Sequence, residues 1–453
     1  MRWAAGLVVA VALAGGVAVE ASPGGSLHGY VFAGDTRVRE AVQTVAPELA
    51  PVYETRRYAP IWVKGQKVRP EARELVALIA SASADGLDPE RYGLSQLKQD
   101  LASAEGGDAA SLAQFEAEAS HSFAAYVFDL HSPPSSDGMI FTDAAAAGPP
   151  LDRLTILRAA ADAPSLHAQL MTVRRMNPIY EGLRQALAQY RAHSPGRRPD
   201  PKEQLILVNM NRARALPANP GHRYIVVDVT AATLWMYQDG KPVDSMKVVV
   251  GKQSEPTPIM AGVIRYALFN PYWNVPEDLV QDELAPKVLA QGPGVIAQKH
   301  METLYDWSPD AQVLDPATID WSAVAAGRQY LRVRQVPGPA NMMGKVKFML
   351  PNKLGIYLHD TPNKALFAQD QRWFSSGCVR VEDAGRLTRW LLGNTPESST
   401  PDYRVDLAQP VPVYITYFTV APGPTGAVFR QDIYGRDEMS LAQLQRRAAS
   451  DAA

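Results

Sequence analysis

The spacing of apolar residues changes character about halfway along the chain. Over roughly residues 36–194 they recur at three- and four-residue intervals. "PEARELVALIASASADG" puts Pro70 at a first helical position, repeats Leu75, Ile79 and Ala82 and stops at Gly86, a combination that predicts a helix. "SLAQFEAEASHSFAAYVFDLH" repeats the pattern with Leu112, Phe115, Ala119, Tyr126 and Leu130. "HSPGRRPDPKEQ" (193–204) reads as a linker from its proline and charge, and beyond it the period falls to two. "RYIVVDV" and "TLWMYQDGKPVDSMKVVVG" predict strands, with a tight hairpin at Asp239-Gly240, where positive φ is tolerated. Further strands are expected at 263–269, 329–334, 345–350 and 354–359, with a last buried one at 411–420. In "LGIYLH", Leu354, Ile356 and Leu358 alternate onto one face and Tyr357 and His359 onto the other. "EDLVQDELAPKVLAQ" reads as a helix, and so does "VEDAGRLTRWLLG", stopped by Gly393. The tail beyond Gly423 contains a polar, Arg-rich "LAQLQRRAASDAA" end that reads as a frayed or surface helix.

An α+β protein follows, helical first and mainly β afterwards. Its 453 residues suggest two or three domains. A formal charge of −2 gives no electrostatic reason to bind nucleic acid or an anionic membrane, so a partner has to be read from a site. "MRWAAGLVVAVALAGGVAVEAS" has an early Arg2, an uncharged apolar run and small residues up to Ala21, the pattern of an export signal cleaved near that point; a short uncleaved anchor is the alternative. No phosphate-binding glycine loop, heptad run or repeat is present.

Export changes the meaning of the cysteine count. Exported proteins usually carry cysteines in disulfide-bonded pairs, and this chain has one, Cys378 in "SSGCVRV". It is an intermolecular bridge, an inert buried thiol or a nucleophile. The neighbours favour the last. His359, nineteen positions earlier, ends a strand and is a suitable base. Gly377 allows a sharp turn that aims backbone N–H groups at a developing oxyanion. Arg380 either favours the thiolate or holds a substrate carboxylate. A Cys/His hydrolase or acyltransferase fits these residues. His121 and His131 lack acidic or cysteine companions at metal-binding spacing, and His222 and His300 read as structural; no cofactor or metal is expected.

"YLHDTP" followed by "SSGCVRV" resembles the catalytic motif of L,D-transpeptidases of the YkuD fold, in particular the larger Gram-negative subfamily with an N-terminal scaffold. "YAPIWV", "DGLDPERYG", "VVVGKQSEPTP", "FNPYWNVP" and "DWSAVAAGRQYLRVRQVPGPANMMGKVKFMLPN" extend the resemblance in the same order. It implies a signal peptide at 1–21, a helical scaffold domain at 30–194, a linker at 195–218, a mainly-β catalytic domain at 219–422 with a cap inserted at 275–343, and a tail at 423–453. It also implies a periplasmic enzyme in which Cys378 attacks a peptidoglycan tetrapeptide stem, releases D-alanine and passes the acyl group to a second stem as a 3→3 cross-link. His359 would be the base, oriented by the backbone carbonyl of Asp360, with Gly377 and Cys378 supplying oxyanion donors. Arg380, Ser376, Tyr357 and Trp273 would contact substrate, and carbapenems would acylate the thiol. Donor and acceptor stems, and other cell-wall synthesis proteins, are the implied partners.

Two departures bear on this. Smaller relatives often have His where this chain has Ser376, although the larger subfamily tolerates Ser. Long relatives also carry a separate peptidoglycan-binding module, for which 195–218 leaves no room. Glycan targeting then falls to the scaffold, the insertion or a partner. The insertion's Trp307 and Trp321 read first as core aromatics, and the alternative is a mobile cap over the cysteine. Water or a lipoprotein lysine as acceptor would make the enzyme an L,D-carboxypeptidase or an anchoring enzyme. A wall-binding protein that keeps the fold without catalysis is the reading from another class.

Overall fold

The computed structural model describes residues 35–132, 138–194, 200–308 and 310–451; the expected signal sequence, 1–21, lies outside them. No helix among the described residues is long and apolar enough to cross a membrane. By contact density the chain forms two units, Met1–Arg73 with Ser95–His121 and Glu74–Leu94 with Ser122–Ala453.

The first unit contains helices Thr36–Val45 and Ala50–Thr55, and the small hairpin of Val63–Lys64 and Lys67–Val68. A buried carboxylate organises it. Glu116, with no exposed surface, accepts the N–H groups of Ile61 (2.6 Å), Trp62 (2.8 Å) and Val63 (3.2 Å) and the hydroxyl of Tyr53 (2.6 Å). Ser120 bonds both the Tyr53 hydroxyl (2.6 Å) and the Trp62 indole N–H (2.9 Å). The "YAPIWV" stretch is thus an irregular segment whose backbone donors find a side-chain acceptor in place of a ladder. Burial pushes the Glu116 carboxyl upward while these donors pull it back.

The second unit holds a sheet that closes on itself. Its order is Val346–Met349, Leu358–His359, Val379–Val381, Lys241–Gly251, Thr233–Gln238, Arg223–Asp228, Tyr403–Thr416 and Met260–Phe269, and the last strand pairs back onto the first. Closure leaves these strands no free edge. The interior holds Ile225, Val227, Val248, Phe348, Leu358, Val379, Val381 and Ile415, and receives Leu387 and Leu391 from helix Ala384–Leu392. That helix starts where Asp383 accepts the Arg386 N–H (2.9 Å) and stops at left-handed Gly393. The predicted hairpin at Asp239-Gly240 forms with both residues at positive φ (51° and 73°).

Between Phe269 and Val346 the chain builds the inserted subdomain. Its strands Met301–Leu304, Val313–Leu314, Arg332–Gln335 and Trp273–Asn274 form a separate sheet. Its own core includes Val275, Leu284, Val288, Val333 and Trp321, whose indole donates to Pro316 O (2.8 Å). Trp307 is exposed. The helix expected here widens into a π turn at Val280–Leu284 before continuing as Ala285–Gln291. Pro286, which has no N–H for the ordinary ladder, stands two residues past that turn.

Two expectations need correction, and the tail holds more than its expected helix. The linker at 195–218 contains helix Pro201–Ala213, with Ile206, Val208 and Met210 buried. Asp200 accepts the N–H groups of Lys202 and Glu203 (both 2.9 Å), so the Asp-Pro pair is a helix start. The helix expected at the end forms as Asp437–Asp451, and further structure precedes it. Gly426–Phe429 pairs with Val420–Gly423, the Tyr434 hydroxyl donates to Gly251 O (2.7 Å), and Arg212 pairs with Asp437 (2.7 Å) at the start of helix Asp437–Asp451. Leu354 is exposed, because Gly355 adopts positive φ (68°) and Asn352 Oδ1 captures the N–H groups of Leu354 (3.0 Å) and Ile356 (3.2 Å), so the regular alternation begins only at Ile356.

Replacing Glu116 by Ala removes the acceptor of four buried donors. Urea unfolding of the full chain is expected to show a loss of about 3 kcal/mol or more, against a smaller loss for Glu116→Gln, which keeps one acceptor oxygen. A loss below about 1 kcal/mol for Glu116→Ala would mean that those donors find other partners.

Candidate active site

Two short parallel strands bring the cysteine and the histidine together. Leu358–His359 lies beside Val379–Val381 with Leu358 opposite Val379 and His359 opposite Arg380. In-register neighbours share a face and alternate residues change face. Leu358, Val379 and Val381 point inward and are fully buried. Tyr357, His359, Cys378 and Arg380 therefore all stand on the other face. On the far side of the histidine, Val346–Met349 pairs antiparallel and sets Lys347 opposite His359.

The imidazole is locked. His359 is buried, and its Nδ1 lies 2.5 Å from the carbonyl oxygen of Asp360. A carbonyl only accepts, so Nδ1 carries the proton and Nε2 keeps its lone pair. Burial, reinforced by the nearby Arg380, drives the His359 pKa down to about 3, despite the opposing bond to Asp360. The carbonyl is held in turn: the Asp360 N–H donates to Val346 O (2.9 Å), and its carboxylate accepts the Lys345 N–H (2.9 Å) and the Lys364 ammonium (2.7 Å). Gly344, at φ +62°, packs so closely that a Cβ there would overlap the Asp360 carboxyl group.

The half-buried Cys378 sulfur has a hydrogen-bond contact to Gly355 O at 3.5 Å. Burial pushes its thiol up, against the Tyr357 backbone and side chain and the cations of Lys347 and Arg380, all of which favour the thiolate. Thiol and imidazole both rest neutral. The turn that carries the thiol is pinned from behind. Gly377 sits at φ +101°, Thr257 Oγ1 donates to Gly377 O (2.8 Å), and Ser375 Oγ donates to Cys378 O (2.6 Å). In a planar trans peptide the N–H opposes the C=O, so the Cys378 N–H points away from Thr257. The N–H groups of Gly377 and Cys378 bond no acceptor among the described residues.

The other expected residues separate. Arg380 is half-buried on the reactive face, and its buried Nε has no partner. Tyr357 stacks edge-on to His359 (5.9 Å between ring centres). Ser376 is exposed at the rim, where its hydroxyl helps hold the Glu255 carboxyl low, second to Lys252. Trp273 packs on the insertion's own core, and no described contact joins it to Cys378. Sequence reasoning passed over Lys347, Gly344 and Thr257. Lys347 was signalled only by standing between the inward Val346 and Phe348. Among the described residues no group of three or more His, Cys, Asp or Glu is placed to hold a metal ion.

Known proteins resemble both parts of the chain. Residues 222–415 match the L,D-transpeptidase catalytic domain family, YkuD, and residues 47–187 match the scaffold domain family. A Haemophilus influenzae protein provisionally named an L,D-transpeptidase is 29% identical over 408 residues, spanning 88% of this chain and 80% of its own. Two solved structures overlap more narrowly. An L,D-transpeptidase from Mycobacterium smegmatis is 14% identical over 43% of this chain and 58% of its own, with a TM-score of 0.23. L,D-transpeptidase 3 from Mycobacterium tuberculosis is 13% identical over 43% and 61%, with a TM-score of 0.22. The match thus spans less than two thirds of either mycobacterial chain. The chain thus carries a stretch that matches the scaffold domain family, followed by one that matches the YkuD L,D-transpeptidase catalytic domain, and the Cys-His face lies in the second.

Proposed function

We propose that the protein forms 3→3 cross-links in peptidoglycan through an acyl-enzyme on Cys378, releasing D-alanine. The observation that carries this reading is the shared face: a half-buried thiol, a buried neutral histidine with its proton fixed on Nδ1, and two unbonded backbone N–H groups at the cysteine. Cys378 Sγ attacks the carbonyl carbon between the third and fourth residues of a tetrapeptide stem while its proton passes to His359 Nε2. The carbonyl oxygen becomes an oxyanion facing the Gly377 and Cys378 N–H groups, each donor contributing about 3 kcal/mol in comparable sites. Collapse breaks the C–N bond, and His359 gives its proton to the departing D-alanine amine. The side-chain amine of a diaminopimelate on a second stem then attacks the thioester. His359 accepts that amine's proton and returns it to sulfur. Arg380 holds a substrate carboxylate, and Tyr357 forms the wall beside the thiol. In "FNPYWNVP" the Tyr272 N–H donates to Asp402 (3.1 Å), an acidic group that acts on Lys347. Export to the periplasm is part of the reading and is supported by the sequence of residues 1–21. Acylation of Cys378 by a carbapenem follows from the same chemistry.

Purified protein and its Cys378→Ala variant, incubated with disaccharide tetrapeptides, are expected to differ in mass spectrometry by a dimer lacking one D-alanine, formed only by the unsubstituted enzyme. Tripeptide alone would make it a carboxypeptidase. Neither product, together with no carbapenem adduct on Cys378, would overturn catalysis by this thiol.

The resting pair sets a pH dependence. The thiol lies above its ordinary value, so the thiolate fraction rises with pH across the neutral range, while His359, at about 3, does not titrate there. Iodoacetamide alkylation of Cys378 is expected to speed up about tenfold per pH unit between about pH 6 and 8, without a plateau. A plateau in that range would reveal a preformed thiolate–imidazolium pair.

Gly344→Ala would push on the Asp360 carboxyl group and, through it, on the carbonyl that orients His359. Turnover is expected to fall about 100-fold, as for an ångström-scale misplacement, while alkylation of Cys378 persists. Unchanged turnover would mean that Asp360 does not position the histidine.

A further inference from the structure

Lys347, His359 and Arg380 form a row across three adjacent strands, with the histidine in the middle. Neighbouring strands lie about 4.8 Å apart, so the two cations leave the sheet about 10 Å from each other. Both are half-buried and face the same side as Cys378. Neither has a hydrogen bond or ion pair to a carboxylate among the described residues. The Lys347 ammonium rests over the Tyr357 ring, 4.8 Å from its centre. The acidic groups that act on it are Asp402, which accepts the Tyr272 N–H (3.1 Å) and also feels Arg334, and then the Cys378 thiol, which acts on Arg380 as well. Half-buried cations are ordinarily paired, because desolvating an unpaired charge is costly. Two unpaired ones flanking a catalytic base mark a place where substrate supplies the anions.

We propose that Lys347 and Arg380 form a two-pronged carboxylate clamp astride His359, which selects donor stems whose two carboxylates nearest the scissile carbonyl are both free. The proposal rests on the transpeptidase reading for the identity of its ligand. In a tetrapeptide stem those groups are the carboxylate of the terminal D-alanine and that of the diaminopimelate side chain, one on each side of the bond that breaks. One enters the fork of Arg380 and the other meets the ammonium of Lys347, and between them the carbonyl carbon is centred on the row that holds His359 and Cys378. Arg380 gives a planar, bidentate contact and Lys347 a point charge, so only Arg380 demands a fixed carboxylate orientation. Lys347 is a specificity-determining residue here, and it takes no part in proton transfer.

The test measures binding without turnover. Calorimetry on the Cys378→Ala protein would compare the free-acid disaccharide tetrapeptide with two analogues, one amidated on the diaminopimelate side-chain carboxylate and one ending in D-alaninamide. Each amidation is expected to weaken binding about tenfold or more. Adding Lys347→Met should weaken the free acid to a similar degree and abolish the effect of one amidation while preserving the other. Lys347→Arg should restore the lost discrimination. Equal weakening of all three ligands by Lys347→Met, or no weakening of any, would overturn the clamp. So would an upward shift of the iodoacetamide pH profile in Lys347→Met with acid-to-amide ratios unchanged, because the lysine would then only tune the thiol. The two readings fail separately: a protein that forms cross-linked dimers without discriminating acid from amide loses the clamp alone. One that discriminates without forming dimers loses the transpeptidase reading alone.

Discussion

The pairing of Leu358–His359 with Val379–Val381 is the constraint on which the site depends. A one-residue slip in either strand would send its inward residues to the solvent side and bury the reactive ones. Leu358, Val379 and Val381 are fully buried, as is Phe348 on the next strand. Each such side chain loses about 1.5–3 kcal/mol when exposed, so a slip would forfeit several kcal/mol at once. Apolar packing beneath the sheet thus determines which residues meet above it. The catalytic groups contribute little to that choice, and Lys347, His359, Arg380 and Cys378 assemble because the residues between them are hydrophobic.

Burial then shapes the chemistry. It pushes the Cys378 thiol up and His359 down, and both effects favour neutral partners at rest. A neutral imidazole whose Nδ1 proton is committed to a carbonyl is poised to accept at Nε2. In the proposed reaction, charge would appear only as the sulfur attacks, on a face that the cations of Lys347 and Arg380 already flank. Those cations carry their own desolvation cost, which pulls both of their pKa values down. In the proposed clamp, substrate carboxylates would relieve that cost, coupling binding to the electrostatics of the thiol through the same two side chains.

Much of the site was legible because its parts are close in sequence or chemically conspicuous. A lone thiol after a glycine, a histidine at a strand end and an arginine two residues past the thiol point to one another without a structure. Lys347 does not, because lysine in an alternating strand normally faces water, and only the register reveals that this one faces a histidine. Gly344 and Thr257 act through the backbone of other residues, which leaves no pattern in composition. The misread linker has a similar cause. Asp200-Pro201 marks a break in the chain and also the start of a helix, and the difference is made by Ile206, Val208 and Met210 finding a core to enter. Leu354 escaped the alternation expected of it because an asparagine and a glycine nearby impose a turn that hydrophobic period alone does not encode.

The inserted subdomain has its own core, yet its two connections to the sheet are cross-linked at the base. Asn341, almost fully buried, donates to the carbonyls of Pro271 (3.1 Å), Gln335 (3.2 Å) and Val336 (2.9 Å), and accepts the Met343 N–H (2.7 Å). Asn270, at φ +48°, donates its N–H to Lys345 O (3.0 Å). Entry and exit strands are therefore bound to each other just before the chain becomes Val346–Met349, the strand that carries Lys347. The Arg334 guanidinium lies over the Tyr272 ring (4.2 Å), and Tyr272 holds Asp402, an acidic group that acts on Lys347. Moving the insertion about this base without moving that strand end would break these hydrogen bonds, at about 1–3 kcal/mol for each buried group left unsatisfied. The base of the insertion and the strand that carries Lys347 consequently share one hydrogen-bond network, centred on the buried Asn341.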